Sequence, residues 1–390
     1  MKNEAGSLIV ENGKVLLRDG ELRCCDVRVE KGQIADIGQN LNSASVVDAA
    51  GGYVLPGLID LHTHGIGLVS PAVSPLREYA TAIAAHGATT FYPTLFGSPE
   101  VLVPLMEHHR NETDELKTLP QIGGFRLESP YLAHPGGGLA RDLAPIHPET
   151  TDQLLEAGGG LIKIWDISPE CPGAIDLIRQ LSSDGVVCSM GHTQASIQQA
   201  RNAVDAGATL VTHFFCTFVL PETTELGVYP TGLVDYLLIE DRVTCEIVPD
   251  GTHVSPILVE KAFRCKTSER IAFITDSNFG AGLPAGEYTL PEERGKIVIR
   301  RRNDGVRLLE RDMVLAGSAM TPIDTFRNAI GLFGKDLAAA SRICSRTPAR
   351  LMGLNKGEIA VGKDADLIVL SSELEVLYTI VGGRVIYQKK

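Results

Sequence analysis

The chain has no CxxC pair. Its eight cysteines are scattered, with only Cys24 and Cys25 adjacent, so reduced thiols in a cytoplasmic protein are the expectation. No Lys/Arg-rich block stands out beyond Arg300–Arg302, and the formal net charge is −12. That excludes a nucleic-acid or anionic-membrane surface from the expected partners. An anionic small substrate stays open, because a local clamp needs only one or two basic residues. No basic and then apolar leader opens the chain, so no secretory signal is expected. The longest charge-free stretch, Tyr79–Pro99, is broken by His86, Gly87 and Pro93. It reads as helix, turn and strand rather than a membrane span. Internal repeats and low-complexity tracts are also missing.

What is present is a chain of 390 residues, 44% hydrophobic and 22% charged, able to bury a sizeable core. Residues 1–55 alternate short β-rich runs with hairpin signals such as Glu11-Asn-Gly13, Asp19-Gly20 and Lys31-Gly32. That segment is too small to bury a core alone. The tail offers matching runs, Gly357–Gly362, Ala365–Leu370, Val376–Val381 and Arg384–Tyr387. Residues 1–55 and 354–390 are therefore expected to form one small discontinuous β-sandwich domain, with residues 56–353 inserted as a larger one.

In that larger part, short apolar runs alternate with helix-like stretches. Eight runs qualify as strands: Gly57–His64, Thr89–Leu95, Gln121–Glu128, Leu161–Ile167, Val186–His192, Ala208–His213, Val243–Asp250 and Ile271–Asp276. Between them lie segments such as Gln194–Ala206, with an apolar stripe at Ala195, Ile197, Ala200 and Val204. Strand and helix alternating in this way predict an α/β fold, a (β/α)8 TIM barrel. Residues Phe279–Val314 read as a rim loop and hairpin, followed by helices over Pro322–Gly334 and Asp336–Met352.

The chemistry falls at the ends of the runs. The first closes on His62-Thr-His64, and in a strand residues i and i+2 share a face, so both imidazoles can reach one divalent metal. Among the run endings, the metal-capable or acidic side chains read as site residues are His64, Glu128, His192, His213 and Asp276. Barrel sites sit at the C-terminal rim of the strands, so these residues are expected to meet at one mouth.

The chain resembles the amidohydrolase superfamily, and within it the N-acetylglucosamine-6-phosphate deacetylases. The resemblance rests on Leu55–His64, Phe125–Tyr131, Met190–Ala195, Thr212–Phe215, Asp250–His253 and Ile274–Asp276. It extends to Ala316–Ser318, Thr347–Ala349 and Gly362–Leu367. It implies that His62 and His64 hold one metal, that His192 and His213 hold a second, and that Glu128 lies between them. Asp276 would be general base and then general acid, and His253 would contact the scissile carbonyl. The cofactor would be one or two divalent ions, zinc foremost, with iron, manganese, cobalt or nickel as other candidates. Such a site suits hydrolysis of an N-acyl amine: a metal acidifies water and polarises the carbonyl, and a carboxylate carries the proton to the departing amine. A homodimer is also implied.

The departures from that family concern the substrate. Its usual phosphate-holding asparagine is replaced by Cys216, in His213-Phe-Phe-Cys-Thr-Phe218, and no Lys or Arg occurs from Phe214 to Glu240. Glu128-Ser-Pro130 stands where Glu-Gly-Pro is usual. The loop His134–Arg141 lacks the usual Lys/His pair, leaving Arg141 as a replacement anion contact, while Arg126 falls mid-strand. Cys216 is expected as a small buried side chain rather than a nucleophile. The leading expectation is removal of an N-acetyl group from an amino sugar. Other readings are a deacylase of a different, unphosphorylated N-acyl amine, a cyclic-amide hydrolase or deaminase, and a non-enzymatic assembly module.

Overall fold

A computed structural model describes residues 7–112, 121–223 and 225–390, so the first six residues of the expected terminal domain lie outside the described residues. Eight parallel strands form one sheet in chain order: Leu58–Thr63, Ala88–Leu95, Phe125–Leu127, Ile162–Asp166, Val187–Met190, Leu210–Val211, Thr244–Ile247 and Ile271–Phe273. The ring closes between its first and last members. Asp276 N donates to His62 O at 2.9 Å, His64 N donates to Ser277 O at 2.7 Å, and Thr63 pairs in parallel with Ser277. Every residue of Leu58–Thr63 and of Ala88–Leu95 is buried, because parallel barrel strands are covered on both faces; this is why they read as near-continuous apolar runs. The Tyr79–Pro99 stretch contains the end of helix Leu76–Ala84, a turn, and strand Ala88–Leu95. No helix among the described residues is long and apolar enough to cross a membrane.

Helices between strands bury apolar faces on the sheet. Ile197–Ala206 is typical, with Ala200, Ala203 and Val204 buried. Ser196 caps it, its hydroxyl accepting from Gln199 N at 3.3 Å while the Gln199 side chain accepts from Ser196 N. The helix starts later than the apolar stripe suggests, because that cap fixes its first turn.

The two chain ends build the second unit. A four-stranded sheet contains Leu8–Glu11, Asp26–Glu30, Gln33–Gly38 and Ser45–Asp48. A six-stranded sheet pairs Lys14–Leu16, Leu22–Cys24 and Tyr53–Pro56 with Leu367–Leu370, Val376–Val381 and Arg384–Gln388. Val10, Val27 and Val29 of the first sheet pack with Val54, Val369 and Ile380 of the second. The Gly357–Gly362 run forms only a bridge, Leu17 to Ile359. Residues after Asp276 are more ordered than a hairpin. Gly286–Thr289, Lys296–Ile299, Gly305–Leu308 and Val314–Ser318 make a four-stranded antiparallel sheet over the barrel mouth. Ala316–Ser318 is thus strand, and the helix Pro322–Gly331 starts after Thr321, whose hydroxyl meets Asp324 at 2.6 Å.

Candidate metal centre

The Glu128 carboxylate is surrounded by four imidazoles from three strand ends besides its own. Its Oε2 lies 3.0 Å from His64 Nε2 and 3.4 Å from His62 Nε2. Its Oε1 lies 3.0 Å from His192 Nε2 and 3.1 Å from His213 Nε2. Within each histidine pair the Nε2 atoms approach to 3.0 Å and 3.1 Å. Asp276 Oδ1 stands 3.5 Å from His62 Nε2 and 3.6 Å from His64 Nε2. The structure therefore brings His62, His64, Glu128, His192, His213 and Asp276 together at the C-terminal mouth, as the run endings predict.

The backbone is bent to achieve this. His192, His213 and Asp276 adopt φ of 46°, 24° and 45°, left-handed values that cost a non-glycine residue roughly 1–3 kcal/mol. Each sits just past a strand end, where the turn aims the side chain inward. Such strain persists only where surrounding contacts enforce it, and all three residues share one spot.

The donor chemistry fits a divalent cation. His64 Nδ1 donates to Thr94 O at 3.2 Å, which fixes the tautomer that leaves Nε2 a lone pair. His62 Nε2 lies 3.0 Å from His64 Nε2, close enough for one divalent ion to lie against both. The Nδ1 atoms of His62, His192 and His213 are buried without a hydrogen-bond partner among the described residues, while their Nε2 atoms all face Glu128. Burial opposes ionisation of Glu128, but the charges of His62 and His64 and the bonds from His192 and His213 hold its carboxyl well below the usual range. Burial and Arg126 likewise oppose a charged His62, yet Glu128 and Asp276 push its pKa up to about 10. The field at this point calls for positive charge. An N/O set of this kind suits zinc and other borderline ions.

His253 joins the same cavity through a partner not foreseen. Its Nδ1 lies 2.6 Å from Asp250 Oδ2, and Asp250 Oδ1 accepts from Thr252 N and His253 N. Burial works against protonation of His253, but the bond and charge of Asp250 outweigh it and raise its pKa. Asp250 was readable in Asp250-Gly-Thr-His253 as the acidic i−3 neighbour. Cys216 lines the cavity, and burial pushes its thiol far up, consistent with a small packing side chain. Arg141 is not brought to this site: it is exposed in the short turn Ala140–Asp142 and is absent from the lining.

Two features were invisible in the pattern. Gly136, at φ +55°, presses its backbone on His192; a Cβ there would sit 2.5 Å from His192 Cε1, so only glycine permits this approach. Arg311 holds the same loop by donating to Gly137 O and Gly138 O at 2.6 and 2.8 Å. Below the site, fully buried Arg126 bridges Asp166 and Glu246 across the barrel interior, which makes it a structural hub rather than an anion contact.

The cavity above the metal-capable residues measures about 890 Å³, and the barrel mouth and the antiparallel sheet line it together.

Residues 53–386 match the Amidohydrolase family. The chain is 29% identical over 394 residues to the N-acetylglucosamine-6-phosphate deacetylase of Bacillus subtilis (strain 168), covering 98% of this chain and 94% of that protein. It is 30% identical to the N-acetylgalactosamine-6-phosphate deacetylase of Escherichia coli O157:H7, covering 95% and 97% respectively. Among solved structures it is similar to a mutant N-acetyl-D-glucosamine-6-phosphate deacetylase of Mycobacterium smegmatis in complex with N-acetyl-D-glucosamine-6-phosphate. That likeness has a TM-score of 0.84 and 28% identity, and covers 98% of this chain and all of the other.

Proposed function

The chain belongs to the amidohydrolase family, and from that premise we propose that it is a metal-dependent hydrolase removing the N-acetyl group of an amino sugar. The observation that carries this reading is the convergence of four imidazole Nε2 atoms on the two oxygens of Glu128. His62 and His64 would hold one divalent ion and His192 and His213 a second, with Glu128 between them. When bound, such an ion supplies Lewis acidity, making water more acidic and the amide carbonyl more electrophilic.

The chain's own residues supply the proton traffic. Asp276 takes a proton from the attacking water and returns it to the amine nitrogen, without which an amide anion would have to leave. His253, held through Nδ1 by Asp250, has its other ring nitrogen free to donate to the carbonyl oxygen as charge develops there. Cys216 contributes shape only.

The same proposal takes zinc as the first candidate metal and a cytoplasmic homodimer as the working form. Exposed Leu220, Leu226 and Tyr229, at 84%, 98% and 84% accessibility, support a surface covered by a second copy, since large exposed apolar side chains favour association. The test pairs metal analysis with acetate release from N-acetylated amino sugars before and after chelation. One or two bound equivalents and chelator-sensitive release are expected. Metal-free protein that still releases acetate would overturn the reading.

A further inference from the structure

The walls of this cavity are largely apolar. Phe96, Val101 and Leu105 line it from the second strand end and the helix Pro99–Asn111, and Ile297 and Leu315 line it from the antiparallel sheet, with Leu290 just past the strand Gly286–Thr289. Among the described residues of the lining the one Lys or Arg is Arg294, and Glu292 stands 4.0 Å from it. The other nearby guanidinium groups are committed: Arg311 to the carbonyls of Gly137 and Gly138, Arg307 to Asp304 and Gly305 O. The segment from Phe214 to Glu240, which supplies Cys216 and Thr217 to the lining, has no Lys or Arg. A phosphate dianion placed here would lose its hydration with one shared guanidinium in return.

We propose that the substrate is an N-acetylated amino sugar bearing an uncharged apolar substituent, such as an alkyl or aryl aglycone, packed between the helix Pro99–Asn111 and the antiparallel sheet, rather than a sugar phosphate. The proposal rests on the deacetylase reading above and refines its substrate class. Pockets that bury most of a ligand are mainly apolar, with a few polar groups fixing orientation; here those polar groups are the metal-capable residues at the floor together with Thr217 and Asn278.

The test compares N-acetylglucosamine, its 6-phosphate and its hexyl glycoside on the metal-loaded protein by acetate release. Alongside it, calorimetry measures binding of the three corresponding free amines, which needs no turnover. The hexyl compound should exceed the 6-phosphate in kcat/KM by about tenfold or more, the effect of roughly two buried methylenes, and its amine should bind more tightly. Val101→Lys, at a half-exposed lining position, should narrow or reverse that order. Preference for the 6-phosphate in either assay would overturn the proposal while leaving the deacetylase reading intact, and loss of that preference in Arg294→Gln would name the clamp. Tighter binding of the hexyl amine without acetate release from any compound would remove the deacetylase reading, yet support the apolar pocket.

Discussion

Replacing Arg126 by Met tests whether the barrel interior depends on one charge. Arg126 donates through Nε and Nη2 to Asp166 at 3.0 and 2.9 Å, and through Nη1 and Nη2 to Glu246 at 2.6 and 3.0 Å. It also donates to Leu61 O and Thr212 Oγ1, both at 3.1 Å. All three charged side chains are fully buried. Removing the cation leaves two buried carboxylates without their main partner, so the loss should be about 3–5 kcal/mol. At about 2–4 °C per kcal/mol, thermal unfolding should fall by roughly 6–20 °C. Arg126→Lys should lie between, since an ammonium keeps the charge but cannot fork to two carboxylates. Measurements belong on metal-free protein, so that ion binding does not add to either curve.

The pH dependence of that loss is a second readout. Burial opposes ionisation of Glu246, but Arg126 outweighs it and holds the pKa near about 2. A carboxyl depressed in the folded state contributes stability above its unfolded value of about 4.3, and that contribution is lost as pH falls toward the folded value. Between about pH 4.5 and 2 the native protein should therefore lose stability faster than Arg126→Met, and the gap should close. A loss under about 1 kcal/mol at neutral pH, or a gap that stays constant with acid, would refute the role assigned to Arg126.

Other perturbations follow from the same contacts. Gly136→Ala puts a methyl 2.5 Å from His192 Cε1 in a left-handed backbone, and metal affinity measured by competition should drop by about 10-fold or more; unchanged affinity would show that the loop yields freely. Glu128→Gln should lower the number of bound metal ions in elemental analysis, because both oxygens face imidazoles. Asp250→Asn should reduce kcat by about 10²-fold and shift the pH–rate profile with little change in metal content, whereas a packing role would leave the profile unmoved. In native thiol labelling at pH 8, exposed Cys24 and Cys265 should react first. Cys188, Cys245 and Cys344 should resist, because burial pushes their thiols up to about 11, 12 and 12.

By itself the sequence determined the barrel and the members of its mouth. Strands buried on both faces are mostly apolar, so eight runs were visible, and a polar side chain ending such a run is conspicuous at His64, Glu128, His192, His213 and Asp276. The i, i+2 rule paired His62 with His64 without coordinates. Tertiary structure alone decided what depends on approach between segments distant in the chain. Thr94 orients His64 through a backbone carbonyl, which no residue type announces. Gly136 reaches His192 because a loop folds back over the mouth, and Arg141 of that same loop stays in solvent. Arg126 becomes a hub because Asp166 and Glu246 come from strands forty and more than a hundred residues away. The apolar walls at Val101 and Ile297 face one cavity only after a sheet folds across the barrel rim. Periodicity reports which side chains are buried; only packing reports what they are buried against.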